Sequence, residues 1–411
     1  MKKDFIELGI TNELSERLLK LRIDTPTQVQ VKSIPYILEG KDVIAQAQTG
    51  TGKTLAFLLP ILEKIDVNSE DTQALIISPT RELAIQISEE AQKLIAVKGS
   101  NSLSAYGGQD VEKQLNKLKK NIPLVVGTPG RILDLIRRES LDLSKLKMLV
   151  LDEADQMLHM GFLDEVDAIF SYTPSEKQVM CFSATFNKEV KKLAKTYMNE
   201  PHYVSVKGQN VTLDEIDQII VHTTDRKKQE ALCEMIDTQQ PFMAIVFCRT
   251  KRRVTALYED LSQKGYNCDQ LHGDLSQAKR EKVMKDFRNA KIQLLIATDV
   301  AARGIDVDGI THIYNYDMVL DTDTYIHRIG RTGRAGEKGT AVTFVTPKHN
   351  ASLEKLEGDI KADVKKIEMH KAVKHEDGKA KPKAKKKPSF DDFLKKNSKK
   401  NSRHKGRAPK R

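Results

Sequence analysis

No apolar run in this 411-residue chain approaches the length of roughly 20 residues that a membrane-spanning helix requires, so no transmembrane segment is expected. The opening stretch MKKDFIELGI lacks a long apolar centre, so a secretory signal is not expected there either. Cysteine is scarce. Cys181, Cys233, Cys248 and Cys268 show no C-x-x-C spacing and no paired histidine. That argues against a disulfide framework or a zinc site and for reduced thiols in a cytoplasmic protein. What is present, 39% apolar and 30% charged residues, fits a soluble globular chain. Its length exceeds one ordinary core, so two domains are expected.

The main part of the chain also lacks any excess of positive charge. The net charge is +11, but residues 366–411 hold 18 Lys+Arg against 5 Asp+Glu. The remainder has 50 basic and 52 acidic residues, a balance of −2. Stretches such as KPKAKKKPSF and KKNSKKNSRHKGRAPKR contain few core-forming residues, so 366–411 reads as a disordered basic tail. A polycation of this kind binds polyphosphate surfaces without reading sequence. RNA or ribosome contact is the expectation, against a plain solubility tail.

Short, continuously apolar runs alternate with helical patterns. In the first half they are Val43–Ala45, Ala74–Ser78, Leu124–Thr128, Met148–Asp152 and Val179–Ser183. In the second they are Ala244–Cys248, Leu294–Asp299, His312–Tyr316 and Ala341–Val345. Such runs are the mark of strands covered on both faces of a parallel sheet, with helical crossovers such as TRELAIQISEEAQKLIA between them. Most end in a polar motif, which places chemistry at the carboxyl edge of the sheet. The expected divisions are 1–206, a linker at 207–213, 214–365, and the tail.

AQTGTGKT, Ala47–Thr54, is a P-loop pattern with alanine in the first position. Gly50 and Gly52 let backbone amides close on phosphate oxygens. Lys53 is placed to reach the β- and γ-phosphates, and the Thr54 hydroxyl to ligate Mg²⁺. Gln48, Thr49 and Thr51 complete the loop. Downstream, KMLVLDEADQML is an apolar strand ending in Asp152-Glu153. Asp152 suits Mg²⁺ held through water, and Glu153 suits orienting or deprotonating an attacking water. Asp155 is expected to contact the second half.

Asp152-Glu153-Ala154-Asp155, in this company, resembles the signature of the DEAD-box RNA helicases (bacterial type). The resemblance runs from Phe5 to about Val345 with the motifs in family order. It implies two tandem RecA-like doubly wound parallel-sheet domains, ATP and Mg²⁺ as cofactors, and RNA as partner. PTQVQ, ending at Gln30, resembles the adenine-pairing segment, with Phe5 as its upstream aromatic. Thr80 and Arg81 of PTRELA, Gly107-Gly108, and Thr128, Gly130 and Arg131 of TPGR match segments that hold the RNA backbone. So do Arg249 and Thr250, Gln277 and Arg280, and Thr298. Ser183 and Thr185 of SAT, Arg303 and His327 match segments coupling ATP turnover to strand separation, and Asp306 a ribose contact. HRIGRTGR implies arginine fingers at Arg331 and Arg334. One departure is Ile23, preceded by Arg22, where the family usually has an aromatic that stacks on adenine. Adenine selection through Gln30 with lower affinity is expected.

The first half carries the P-loop and the second the arginine-rich loop, so catalysis is expected to require closure with ATP between them. RNA contacts are expected mainly at phosphates and sugars, because the matching segments hold glycines, threonines and arginines. Taken alone, these residues leave open a DNA-directed translocase and a non-unwinding RNA clamp; a P-loop kinase would not need the second set of motifs. Ribosomal particles or mRNA-decay proteins are the expected further partners.

Overall fold

The computed structural model describes residues 4–48, 50–107, 122–206, 216–302, 305, 307–319, 321–333, 338–360 and 364–369. Seven strands form the first sheet: β1 Val43–Gln46, β2 Ala74–Ile77, β3 Ser102–Ala105, β4 Leu124–Gly127, β5 Met148–Leu151, β6 Gln178–Ser183 and β7 His202–Ser205. Seven form the second: β8 Ile216–His222, β9 Met243–Cys248, β10 Cys268–Leu271, β11 Leu294–Thr298, β12 Ile310–Asn315, β13 Gly339–Val345 and β14 Lys365–Glu368. The first sheet runs β3-β4-β2-β5-β6-β1-β7 and the second β10-β11-β9-β12-β13-β8-β14. Raising each strand number by seven turns one order into the other, so the two lobes share one topology. Every pairing is parallel.

Successive residues of each central strand point to opposite faces, and both faces are covered. Ile76, Val150 and Met180 pack on one side with Phe57 and Leu58 of the helix Lys53–Lys64. Leu75, Leu149 and Val179 pack on the other with Leu135 of the helix Pro129–Arg137. The second lobe repeats the device, with Ile245 and Leu295 on one face and Val246 and Ile296 on the other.

The topology sorts the motifs. In the first lobe the P-loop and Asp152-Glu153 follow β1 and β5. Thr80-Arg81, Gly107 and Thr128 follow β2, β3 and β4, which lie together in the other half of the sheet. In the second lobe Arg249-Thr250 follows β9, the counterpart of β2, and Thr298 ends β11, the counterpart of β4. Thr80 and Thr250 even do the same local job: each hydroxyl accepts from the amide three residues on, capping the next helix.

The second lobe extends to Glu368, past the boundary at 365, because β14 pairs with β8 and covers that edge. The expected linker and the tail from 370 onward lie outside the described residues.

Candidate active site and nucleic-acid interface

β1 delivers the chain into the P-loop. Ala47 is buried and its N–H donates to the Ser183 carbonyl at 3.0 Å, which accounts for a small residue in the first position. Gly52 has φ +87°, and a Cβ there would stand 2.6 Å from Gln30 Nε2. That close approach is used: Gln30 Nε2 donates to the Gly52 carbonyl at 2.9 Å, and Gln30 Oε1 accepts from the Thr27 N–H at 2.8 Å. Gln30 therefore latches its helix to the P-loop, with one amide hydrogen and one lone pair to spare for a base. The Thr51 hydroxyl donates to the Gln48 carbonyl. Thr49 lies outside the described residues.

Lys53 is 7% exposed, and among the described residues its Nζ has no hydrogen-bond partner. A buried, unpaired ammonium is costly, so this one is built for an anion. The cavity it faces is about 370 Å³, and its lining includes Gly50, Gly52, Lys53, Thr54, Asp152 and Glu153 from the first lobe and Arg288 and Arg331 from the second. Glu153 sits at φ +51°, a left-handed conformation for a non-glycine residue, with its N–H on Asp152 Oδ1 at 3.0 Å. Burial pushes the Asp152 carboxyl up to about 7 against the pull of Lys53. Arg331 is held by its own lobe: Nε donates to the His327 carbonyl and Nη1 to the Ile305 carbonyl, both at 3.1 Å. Burial lowers its pKa, with Glu153 working the other way. Arg334, Asp306 and Arg303 lie outside the described residues.

Behind this cavity the structure brings together Asp155, Ser183, Thr185 and His327. Thr185 donates to Asp155 Oδ2 through both N–H and Oγ1, each at 2.9 Å. The Asp155 N–H donates to Ser183 Oγ at 3.2 Å, and that hydroxyl donates to the Thr185 carbonyl. From the second lobe, His327 Nε2 stands 3.6 Å from Asp155 Oδ2. Burial raises the Asp155 pKa, but His327, Lys53 and the Thr185 amide together hold it well below the usual carboxylate range.

On the other half of the sheet edges, Gly107 lies against Arg81, whose guanidinium would be 2.9 Å from a Cβ there. Gly108 lies outside the described residues. Gly130 is exposed with open space above it. Arg131 pairs with Asp134 at 2.5 Å. The side chains of Arg249 and Thr250 are exposed and Thr298 is buried at the end of β11.

Three expectations change. Phe5 is 2% exposed in the first-lobe core, with Ile23 packed against the same cluster, so its ring is taken up by packing inside the lobe. Gln277 and Arg280 are used at the seam between the lobes. Arg81 Nη1 donates to Gln277 Oε1 at 3.4 Å, and Arg280 Nη2 pairs with Glu82 at 2.6 Å. Glu82 was missed; its signal was an acid inside PTRELA that is buried, while Arg81 beside it in sequence bonds to Gln277 instead. Asp317, which binds segments around both Arg249 and Arg328, was missed as well.

Two RecA-like lobes with a P-loop, an acidic pair and an arginine crossing between them define a two-domain nucleotide-driven motor. Residues 27–193 match the DEAD/DEAH box helicase family and residues 227–336 the helicase conserved C-terminal domain. The chain is 48% identical over 363 residues to the DEAD-box ATP-dependent RNA helicase CshA of Geobacillus kaustophilus, covering 88% of this chain and 78% of that one. It is 47% identical to CshA of Bacillus subtilis, covering 86% and 72%. Among solved structures it resembles S. cerevisiae Dbp5 bound to RNA and ADP BeF3, with TM-score 0.83 and 33% identity over 89% of this chain and 96% of that one. Mss116p bound to ssRNA and AMP-PNP matches with TM-score 0.81 and 30% identity over 89% and 80%. The chain belongs to the DEAD-box ATP-dependent RNA helicases.

Proposed function

We propose that this chain hydrolyses ATP in response to RNA and uses the closure of its lobes to part or remodel short RNA duplexes and RNA–protein complexes. The observation that carries this reading is the meeting of a partnerless buried Lys53 ammonium with Arg331 of the opposite lobe in one cavity, beside Asp152 and Glu153. Phosphoryl transfer needs positive charge around the developing equatorial oxygens, and a crossing arginine is worth about 10³–10⁵ in rate. Lys53 binds the terminal phosphates, Glu153 takes the proton of the attacking water, and Arg331, with Arg334 as a second finger, stabilises the transition state. Gln30 selects adenine, and Ile23 covers the base by apolar contact. Asp306 holds the ribose.

Mg²⁺ fits the donors present. Among the described residues no cluster of three or more His, Cys, Asp or Glu forms a metal cage, and Mg²⁺ with a nucleotide needs none, since phosphates and waters supply most of its ligands. Thr54 and, through water, Asp152 would hold it, where it would draw charge from the β- and γ-phosphates.

RNA lies along the half of each sheet edge that carries Thr80, Arg81, Gly107, Gly108, Thr128, Gly130 and Arg131 in one lobe and Arg249, Thr250 and Thr298 in the other. Asp155, Ser183, Thr185, Arg303 and His327 link that surface to the nucleotide. Four free thiols support a reducing cytoplasmic setting, and the basic 366–411 segment supports contact with ribosomal particles or RNA-decay assemblies.

The test is release of a short strand from an RNA duplex with a single-stranded flank. ATP-driven release that fails when the flank lacks 2′-hydroxyls is expected. Equal release from DNA would favour a DNA-directed motor, and ATP-dependent binding without release would favour a clamp.

A further inference from the structure

We propose that Asp317 is a positioning residue that ties the RNA-side loop Arg249-Thr250 to the segment bearing the arginine finger. The proposal rests on the functional reading above. Asp317 follows β12, the counterpart in the second lobe of the strand that delivers Asp152-Glu153 in the first. It is 4% exposed. Its Oδ2 accepts from the Arg249 N–H at 2.9 Å, at the point where β9 gives way to the RNA-side loop. Its Oδ1 is gripped by Lys228 Nζ at 2.8 Å and Arg253 Nη1 at 2.5 Å. Its backbone carbonyl accepts from Arg328 Nη1 at 2.9 Å.

Arg328 is the other half of the link. It adjoins His327 and lies one helical turn before Arg331, whose Nε is on the His327 carbonyl. Its guanidinium pairs with both carboxylate oxygens of Asp299, which directly follows Thr298, and also donates to Asn315 Oδ1 at 3.2 Å. The Asp317 carboxylate and backbone carbonyl, with the Arg328 guanidinium, thus join by direct bonds the ends of β9, β11 and β12 and the helix Thr322–Ile329. A displacement of Arg249 or Thr298 by an RNA phosphate has a short, stiff route to Arg331.

Stability alone does not call for this arrangement. Lys228 is 1% exposed and Arg328 4%. Buried ions lose their hydration, and well-packed apolar groups of the same volume hold a core as firmly. What the ions add is a fixed geometry between segments, the physical form that coupling takes between separated sites.

The experiment is the ratio of ATP turnover at saturating single-stranded RNA to turnover without RNA. Partial unfolding scales both rates alike, so the ratio reads coupling and not fold. Three full-length variants are compared with wild type: Asp317→Asn; Lys228→Met with Asp317→Asn, which leaves no ammonium stranded in the core; and Arg253→Ala, at a side chain 44% exposed. The ratio is expected to fall about tenfold in the first two, inside the roughly 5–150-fold range of measured couplings, and several-fold in Arg253→Ala. Restored thermal stability in the double variant with the ratio still low separates positioning from support. Ratios within twofold of wild type in the folded variants overturn the proposal. A wild type that RNA does not stimulate overturns the functional reading, and this inference with it.

Discussion

Glu153 holds a left-handed backbone, φ +51°, directly after a buried strand. For a residue with a Cβ that conformation costs on the order of 1–2 kcal/mol, and it persists where the surroundings impose it. Here it turns the chain so that two consecutive acids line one cavity. Glu153→Gln keeps the shape and removes the carboxylate proposed to take the proton of the attacking water. Single-turnover hydrolysis should slow by about 10²–10⁴ while RNA stays bound with ATP, read from the lifetime of labelled RNA on the protein. Asp155 makes a different prediction. Its folded-state pKa is depressed, so it contributes stability above its unfolded value of about 3.9, and that contribution is lost as pH falls through and below it. Asp155→Asn should be less stable than wild type at pH 7. Its stability should also change less between about pH 4 and pH 2, as followed by urea unfolding across that range. Ile23 was legible as a departure but not as a contact: its half-buried side chain packs on the core edge, and competition between ATP and GTP measures how much selection Gln30 supplies alone.

At the level of elements, continuous apolar runs revealed the strands that are covered on both faces. VIAQ, ALII, LVVG and MLVL are almost wholly buried and stood out at once. SLSA, HYVS, CDQL and KKIE did not, because they form the outer strands of the two sheets and are only partly covered. IDQIIVH, one strand in from an edge, mixes exposed and buried positions and was also missed. The same physics sets the cost of mutation. Ile245→Ala, fully buried in β9 between β11 and β12, should destabilise by about 2–5 kcal/mol. Ile367→Ala in β14, where the side chain is only half-buried on an edge strand, should cost clearly less, about 1–2 kcal/mol, because less apolar area leaves water there. Denaturant midpoints of the two variants decide this.

At the level of the whole molecule, motifs named the crossings at Asp155 and Arg331 but not the ion pair at the seam. Arg280 read as an RNA contact because QAKR resembles a family segment on the RNA side; its partner Glu82 lies nearly two hundred residues away in sequence, where no spacing rule reaches. With both side chains nearly buried, the Glu82–Arg280 pair exists only when the lobes meet. Removing one partner of a buried pair costs about 3–5 kcal/mol, and here the cost falls on closure, since each lobe keeps its own core. Arg280→Ala should lower RNA-stimulated turnover at least tenfold with little change in thermal unfolding, and exchanging the charges, Glu82→Arg with Arg280→Glu, should recover part of it.

The claim beneath all of this is that a guanidinium from the second lobe completes a catalytic site begun by the P-loop of the first. Arg331→Ala in the full chain tests it most directly, with RNA-saturated ATP turnover and ATP affinity measured side by side. Turnover is expected to fall about 10³-fold or more while ATP affinity stays within a few-fold of wild type. Turnover within tenfold of wild type would show that the first lobe performs the chemistry alone.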